Sequence, residues 1–287
     1  MSLTSELKNP DSKISKLIDS IIPASQAEKF IQDHNKILSN ASIIYPPSDS
    51  DLLTVGGAMS HAFYRQVTGN WGFDKPTMAI GGMDRTMSTS ERFNFFAIAE
   101  TAKTQVQKAL IALVMAYYDG VGRGRQDREL KKVLEANVFS RKTLPTCMPE
   151  LEQNHPLLNT IWDIANLIES FHLGWVDGLK SDDIHVNATF AGSSLVNGAD
   201  AQMISNGMLI DIKTSRLKAP FTKKDLYQQF AYWLLDYDNR WNINEIVWIY
   251  PRHQMFLRYQ MPQITTLPER SKQLLTSKTN DRKLLVH

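Results

Sequence analysis

The segment Gly198–Ser215, GADAQMISNGMLIDIKTS, limits the fold more than any other stretch of the chain. Asn206-Gly207 stands between two apolar runs, and both residues tolerate the positive φ that a two-residue type I′ turn demands, so a β-hairpin is expected. With these two as the turn, Ile204 faces Leu209, Gln202 faces Asp211 and Asp200 faces Lys213. Side chains alternate along a strand. Asp200, Asp211 and Lys213 therefore fall on one face, and Ala199, Ala201, Met203, Ile210 and Ile212, a core composition, on the other. One consequence would be an exposed hairpin face carrying an Asp200–Lys213 salt bridge. The other is chemistry. Mg²⁺ takes oxygen from one or two carboxylates and leaves its remaining positions to water and substrate phosphate, and an adjacent lysine can orient the attacking water and stabilise developing charge.

The acid-x-Lys triplet alone says little, because it recurs as Glu6-Leu7-Lys8, Asp11-Ser12-Lys13, Glu129-Leu130-Lys131 and Asp281-Arg282-Lys283. Asp211-Ile212-Lys213 differs in ending an apolar strand, across an Asn-Gly turn from a second aspartate. The texture of the chain agrees. Residues 1–50 are polar with short helical stretches such as Ser25–Leu38, and they end in the breaker run Tyr45-Pro46-Pro47-Ser48-Asp49. Residues 51–183 read as mostly helical: a helix beginning at Gly57 and running through Val67, a long one over Glu91–Tyr118 stopping at Asp119-Gly120, then Asp127–Val138 and Leu157–Leu179. A loop is expected at 144–149. Residues 184–287 bring short strands, Val186–Phe190, Ala199–Ile204, Met208–Thr214, Ile246–Tyr250 and Met255–Tyr259. One helix interrupts them, Thr222–Tyr237, opened by a Thr222 cap with Asp225 three residues on. The expected class is α/β, with a large helical portion placed before or within the sheet.

On the helix Thr222–Tyr237, Gln228 and Tyr232 stand at i and i+4 and share a face. A solvated glutamine beside a core aromatic would look the same. His61, four residues after Gly57, is either incidental or a metal ligand, and Asp163, Glu169 and Glu91 are rival acids that a solvated helix face also explains. Taken in order, Gly57/His61, Asp200, Asp211-Ile212-Lys213 and Gln228/Tyr232 resemble the PD-(D/E)XK nuclease superfamily, most of all its RecB-like branch. The stretch from Asn187-Ala188-Thr189-Phe190 to Ser215 also looks like bacterial proteins of that superfamily. The resemblance covers Ile184–Tyr259 well and the Gly57 helix loosely. It implies a restriction-endonuclease-like core, a mixed central sheet flanked by helices, and Mg²⁺- or Mn²⁺-dependent hydrolysis of DNA. Asp200 and Asp211 would be metal ligands, His61 an additional one, Lys213 the lysine assisting the water, and Gln228 and Tyr232 accessory residues. The alternative is the same fold as a nucleic-acid-binding or assembly module that is inactive or needs a partner.

Composition bounds the rest. The 287 residues are 43% hydrophobic and 22% charged, too apolar and too balanced for a disordered chain. No apolar run is long enough to span a membrane, and MSLTSELKNPDSK lacks the apolar core of a secretory signal. The single cysteine, Cys147, excludes an intramolecular disulfide framework and the four-cysteine iron–sulfur cluster of some relatives, and it fits a reducing cytoplasm. No GxxxxGK[ST] loop for a nucleotide is present. The net charge of +2 hides a polarity: from Lys213 onward thirteen Lys/Arg stand against six Asp/Glu, so the preceding residues are net acidic. Arg216, Lys218, Lys223, Lys224 and Arg252, the last with His253 in a turn between two strands and followed by Arg258, are the expected contacts to DNA. Binding through phosphates would be salt-sensitive and sequence-tolerant. The acidic helical portion would cover one side of the groove or dock a partner protein.

Overall fold

The computed structural model describes residues 3–46, 50–75, 77–125, 127–139, 143–147, 157–170, 179, 183–196 and 198–261. Among them the fold is α/β, built on one five-stranded mixed sheet. The strands are β1 (Ile184–Thr189), β2 (Asp200–Ser205), β3 (Met208–Ile212), β4 (Glu245–Tyr250) and β5 (Met255–Gln260), lying side by side in chain order. β1, β2 and β3 are antiparallel neighbours, β3 and β4 are parallel, and β5 returns antiparallel to β4. The parallel pair needs a crossover, supplied by α10 (Lys223–Leu235), whose Thr222–Asp225 capping box forms as expected. The hairpin turn also forms at Asn206 and Gly207, both at positive φ, with Met203 opposite Ile210 and Ser205 opposite Met208.

Both faces of the sheet are buried, each against its own set of helices. One core joins Met203, Met208, Ile210, Ile212, Val247 and Ile249 to α4 (Leu52–Thr68), α5 (Met78–Thr86), α6 (Thr89–Glu100), α7 (Gln105–Gly122), α8 (Arg128–Leu134) and α9 (Leu158–Glu169). The other joins Ile204, Leu209, Ile246, Trp248 and Tyr250 to α10 and to the N-terminal α1 (Leu3–Glu6), α2 (Lys13–Ile21) and α3 (Ala24–Ser39). β3 and β4 are buried at every position, which is why they read as near-continuous apolar runs.

Several sequence expectations change, and the helix expected from Gly57 starts at Leu52. The stretch Glu91–Tyr118 is two helices, because α6 closes at Glu100 on the Thr101 C-cap and Thr104 then starts α7 in a capping box with Gln107. The second of them does not stop at Asp119-Gly120 but continues to Gly122, so Asp119 is helical. Asp127 is the cap of α8, which passes into a π-helical turn over Glu135–Phe139. α9 ends at Glu169; the remainder of the expected helix to Leu179 lies largely outside the described residues. Among the described residues no helix is long and apolar enough to cross a membrane.

Candidate functional site

A cleft of about 910 Å³ opens where the ends of β2 and β3 meet α4, α7 and α10. Gly57, His61, Asp200, Asp211, Lys213, Gln228 and Tyr232 all line it. The structure thus gathers in one cavity the whole ordered set read from the sequence except Ile212, which packs in the core. Gly57 is there for packing: a Cβ at this position would press on Ala116 of α7 at 3.3 Å, so glycine sets how closely α4 and α7 approach.

The carboxylates do not arrive on a common strand face. Ala199 and Ala201 belong to the α10 core whereas Met203, Ile210 and Ile212 belong to the opposite one, so the set expected on a single face is divided. The turnover falls between Ala201 and Met203, opposite Asn187, whose φ of 51 is left-handed. Past Met203 the β2–β3 ladder gives way: Gln202 Oε1 accepts from the Ile212 N–H at 2.6 Å, its Nε2 donates to Ser60 Oγ on α4, and the Lys213 N–H donates to Ile249 O at 2.8 Å. Asp200 and Asp211 therefore enter the cleft from opposite faces of the strand pair.

The expected Asp200–Lys213 bridge is not made. Asp200 is gripped by Arg123 at the end of α7, Nη1 on Oδ1 at 3.0 Å and Nη2 on Oδ2 at 2.5 Å, and Asn187 Nδ2 adds a contact to Oδ2 at 3.5 Å. Lys213 Nζ lies 3.0 Å from Asp211 Oδ2 and 2.8 Å from Asp225 Oδ1. Burial alone would pull the Lys213 pKa down, but the charges of Asp211 and Asp225 outweigh it and raise the pKa above the ordinary lysine value. Asp225 runs the other way: burial opposes its charge, yet Lys213 and the Thr222 cap hold its carboxyl below the usual range. Among the described residues Tyr232 donates to no acid. It receives a hydrogen bond from Gln228 Nε2 at 3.0 Å, and burial, with the charges of Asp200 and Asp211, pushes its hydroxyl up to about 12. His61 Nε2 sits 3.1 Å from Asp119 Oδ2.

Hard oxygen donors are present for a divalent cation. Asp119 Oδ1 is buried with no hydrogen-bond partner among the described residues, whereas the buried Asp211 Oδ2 has the Lys213 ammonium 3.0 Å away; an acceptor left alone is costly unless something satisfies it. Asp200 and Asp211 fit a site of one or two carboxylates completed by water and phosphate. Among the described residues no three His, Cys, Asp or Glu side chains are close enough together to hold a metal, so His61 is not drawn up beside both aspartates.

The expected DNA contacts divide. Arg216, Lys218 and Lys224 are exposed and make no ion pair among the described residues. Lys223 pairs with Asp19 at 3.1 Å and lies over the Tyr227 ring, and Arg258 is paired with Glu245 at 2.8 Å. Arg252 must be corrected. It is fully buried, its Nη1 on Asp163 Oδ1 at 2.7 Å and its Nε on Thr214 O at 2.7 Å. The tight Pro251–His253 turn, closed by Gln254 in the left-handed region, tucks the guanidinium beneath the sheet end instead of projecting it. The same pair removes Asp163 from the rival ligands: it is 1% exposed, not on a solvated face. Glu169 is exposed, and Glu91 closes the capping box of α6.

Asp119 and Arg123 escaped the sequence reading, though both line the cleft. Extending α7 by one turn past Asp119 would have found them, since i and i+4 share a helix face. Leu3, Thr4, Ser5 and Lys8 also border the cleft. No family model, no curated protein and no solved structure matches this chain.

Proposed function

We propose that this protein is a metal-dependent deoxyribonuclease of the PD-(D/E)XK type with a restriction-endonuclease-like core. The observation that carries the reading is the convergence of Asp200, Asp211, Lys213, Gln228 and Tyr232 on one cleft beside the Gly57/His61 helix. Asp200 and Asp211 would hold Mg²⁺ or Mn²⁺, which when bound supplies a Lewis acid at the scissile phosphate and lowers the pKa of its water. Lys213 is kept as an ammonium by its two carboxylates, so at neutral pH it does not take a proton from water. It orients the nucleophile and stabilises charge growing on the phosphate. Gln228 and Tyr232, joined by their hydrogen bond, form the wall beside the lysine. Arg216, Lys218 and Lys224 offer exposed charge to DNA phosphates next to the lysine strand.

Cleavage of labelled single- and double-stranded DNA by the purified protein in Mg²⁺ or Mn²⁺ tests this. Asp211→Asn and Lys213→Ala are each expected to lose on the order of 100-fold or more in rate. If both cleave as wild type does, the reading fails. One observation favours a second reading, a DNA-binding or assembly module that is inactive or waits for a partner: both oxygens of Asp200 are already engaged by Arg123. Calorimetric titration with Mn²⁺ separates the two, since an inactive module binds no Mn²⁺ that depends on Asp211.

A further inference from the structure

We infer that Arg123 is the mobile cation of this cleft, a counter-ion shared between Asp200 and a phosphate of the bound nucleic acid. The inference rests on the nuclease reading of the site and assigns a role to a residue outside its ordered motif. Three features of Arg123 point there. Its guanidinium forms a two-pronged pair with Asp200, occupying both of the oxygens that a divalent cation would need. A divalent cation on those same two oxygens would stand in contact with the like-charged guanidinium, so a cation that binds there displaces the guanidinium into the cleft. The backbone beneath it is anchored, because the Arg123 N–H caps α7 on the Asp119 and Gly120 carbonyls, while the side chain remains about one-third exposed. Motion is therefore confined to the side chain. Finally, Asp119, which also lines the cleft, lies one helical turn back from Arg123, and a guanidinium is a permanent cation.

A released guanidinium at this position faces the cavity that also holds Lys213, and a phosphate is the anion whose geometry its fork matches. Arg123 thus contributes nothing to strand binding while it is paired with Asp200, and one more phosphate contact once it is free. Coupling follows from that exchange: divalent cation and strand favour each other through one side chain.

The test is Arg123→Gln, with Mn²⁺ alone titrated calorimetrically and a fluorescent oligonucleotide followed by anisotropy in Ca²⁺. Removing the competitor should tighten Mn²⁺ binding at least about 10-fold, weaken the oligonucleotide at least about 10-fold, and lower the slope of log affinity against log salt by about 1. Unchanged or weaker Mn²⁺ binding, or unchanged oligonucleotide binding, overturns the inference. If wild type shows no Mn²⁺ binding that Asp211→Asn abolishes, the nuclease reading itself fails and this inference with it. Should Arg123→Gln fold poorly by circular dichroism, Arg123→Lys decides: charge without the fork should give shifts of the same sign and smaller size, and no shift in either measurement overturns the proposal.

Discussion

Asp225 shows how one side chain can serve two structures at once. Its Oδ2 accepts from the Thr222 N–H at 2.9 Å and Oγ1 at 2.6 Å, closing the helix cap, while Oδ1 holds Lys213 at 2.8 Å. The capping role was plain in the sequence; the hold on the lysine was not, because it depends on where α10 lands against β3. Asp225→Ala is accordingly expected to cost about 1 kcal/mol of stability from the cap, measured by urea unfolding, and to lower any cleavage rate by more than that loss of folded protein explains. Thr222→Ala should cost the same stability and leave the rate of the folded fraction unchanged. His34 offers a pH signature. Its ring is stacked on Phe221 at 3.9 Å and bonded to Tyr250 Oη at 2.9 Å, and burial drives its pKa down to about 3. A lowered folded-state pKa contributes stability that is complete above the unfolded value of ~6.5 and lost as pH falls toward the folded one. Between pH 7.5 and 5 the protein should therefore lose about 2 kcal/mol through this residue. His34→Gln should flatten that part of the stability–pH curve; an unaltered slope would assign the proton uptake elsewhere.

At the scale of elements, strands and hairpin were legible because period-2 alternation and Asn206-Gly207 are local signals. The register around the turn followed from them directly. What failed was extrapolation: counting faces outward from the turn assumed an unbroken ladder, whereas the β2–β3 pairing ends at Met203 and Ile210, short of the carboxylates. Helix α7 was misjudged for a related reason, since Asp119-Gly120 resembles a stop only if nothing packs on the turn beyond it. That turn is packed. A Cβ on Gly122 would collide with the Met78 carbonyl oxygen, and one on Gly82 with the Tyr118 carbonyl oxygen, so α5 and α7 cross with backbones in contact. Gly81, one residue away, meets nothing within 4 Å. The adjacent pair gives a sharp comparison. Gly81→Ala should be neutral or stabilising by up to about 1 kcal/mol through helix propensity. Gly82→Ala should destabilise by about 3 kcal/mol or more through overpacking against main chain, both read from chemical denaturation. Equal effects would mean that α5 and α7 are not in this contact.

Across the whole molecule, the sheet divides two cores and the Arg252–Asp163 pair pins them to a common edge. Arg252 reaches from the β4–β5 turn to α9, to Thr214 just beyond β3, and to the Ile44 carbonyl at 3.4 Å. Nothing in the sequence linked residues 89 positions apart, and an arginine between two strands reads more readily as surface than as a buried tie. Breaking one partner leaves an unpaired buried charge, so Arg252→Met or Asp163→Leu alone should cost about 3 to 5 kcal/mol, and the double substitution much less. Oligonucleotide affinity, normalised to folded protein, should be insensitive to either, in contrast to Arg216→Ala with Lys218→Ala. The N-terminal helices carry a different consequence of the same architecture. Asn35 is hydrogen-bonded to the backbone of Phe221, 186 residues later, and His34 to Tyr250, 216 residues later. On a ribosome adding about 5 to 20 residues per second, α2 and α3 would emerge roughly 10 to 40 s before the surface they cover exists. The apolar face of Ile14, Leu17 and Ile18 must spend that interval without its counterpart, exposed to wrong association until the later elements are made.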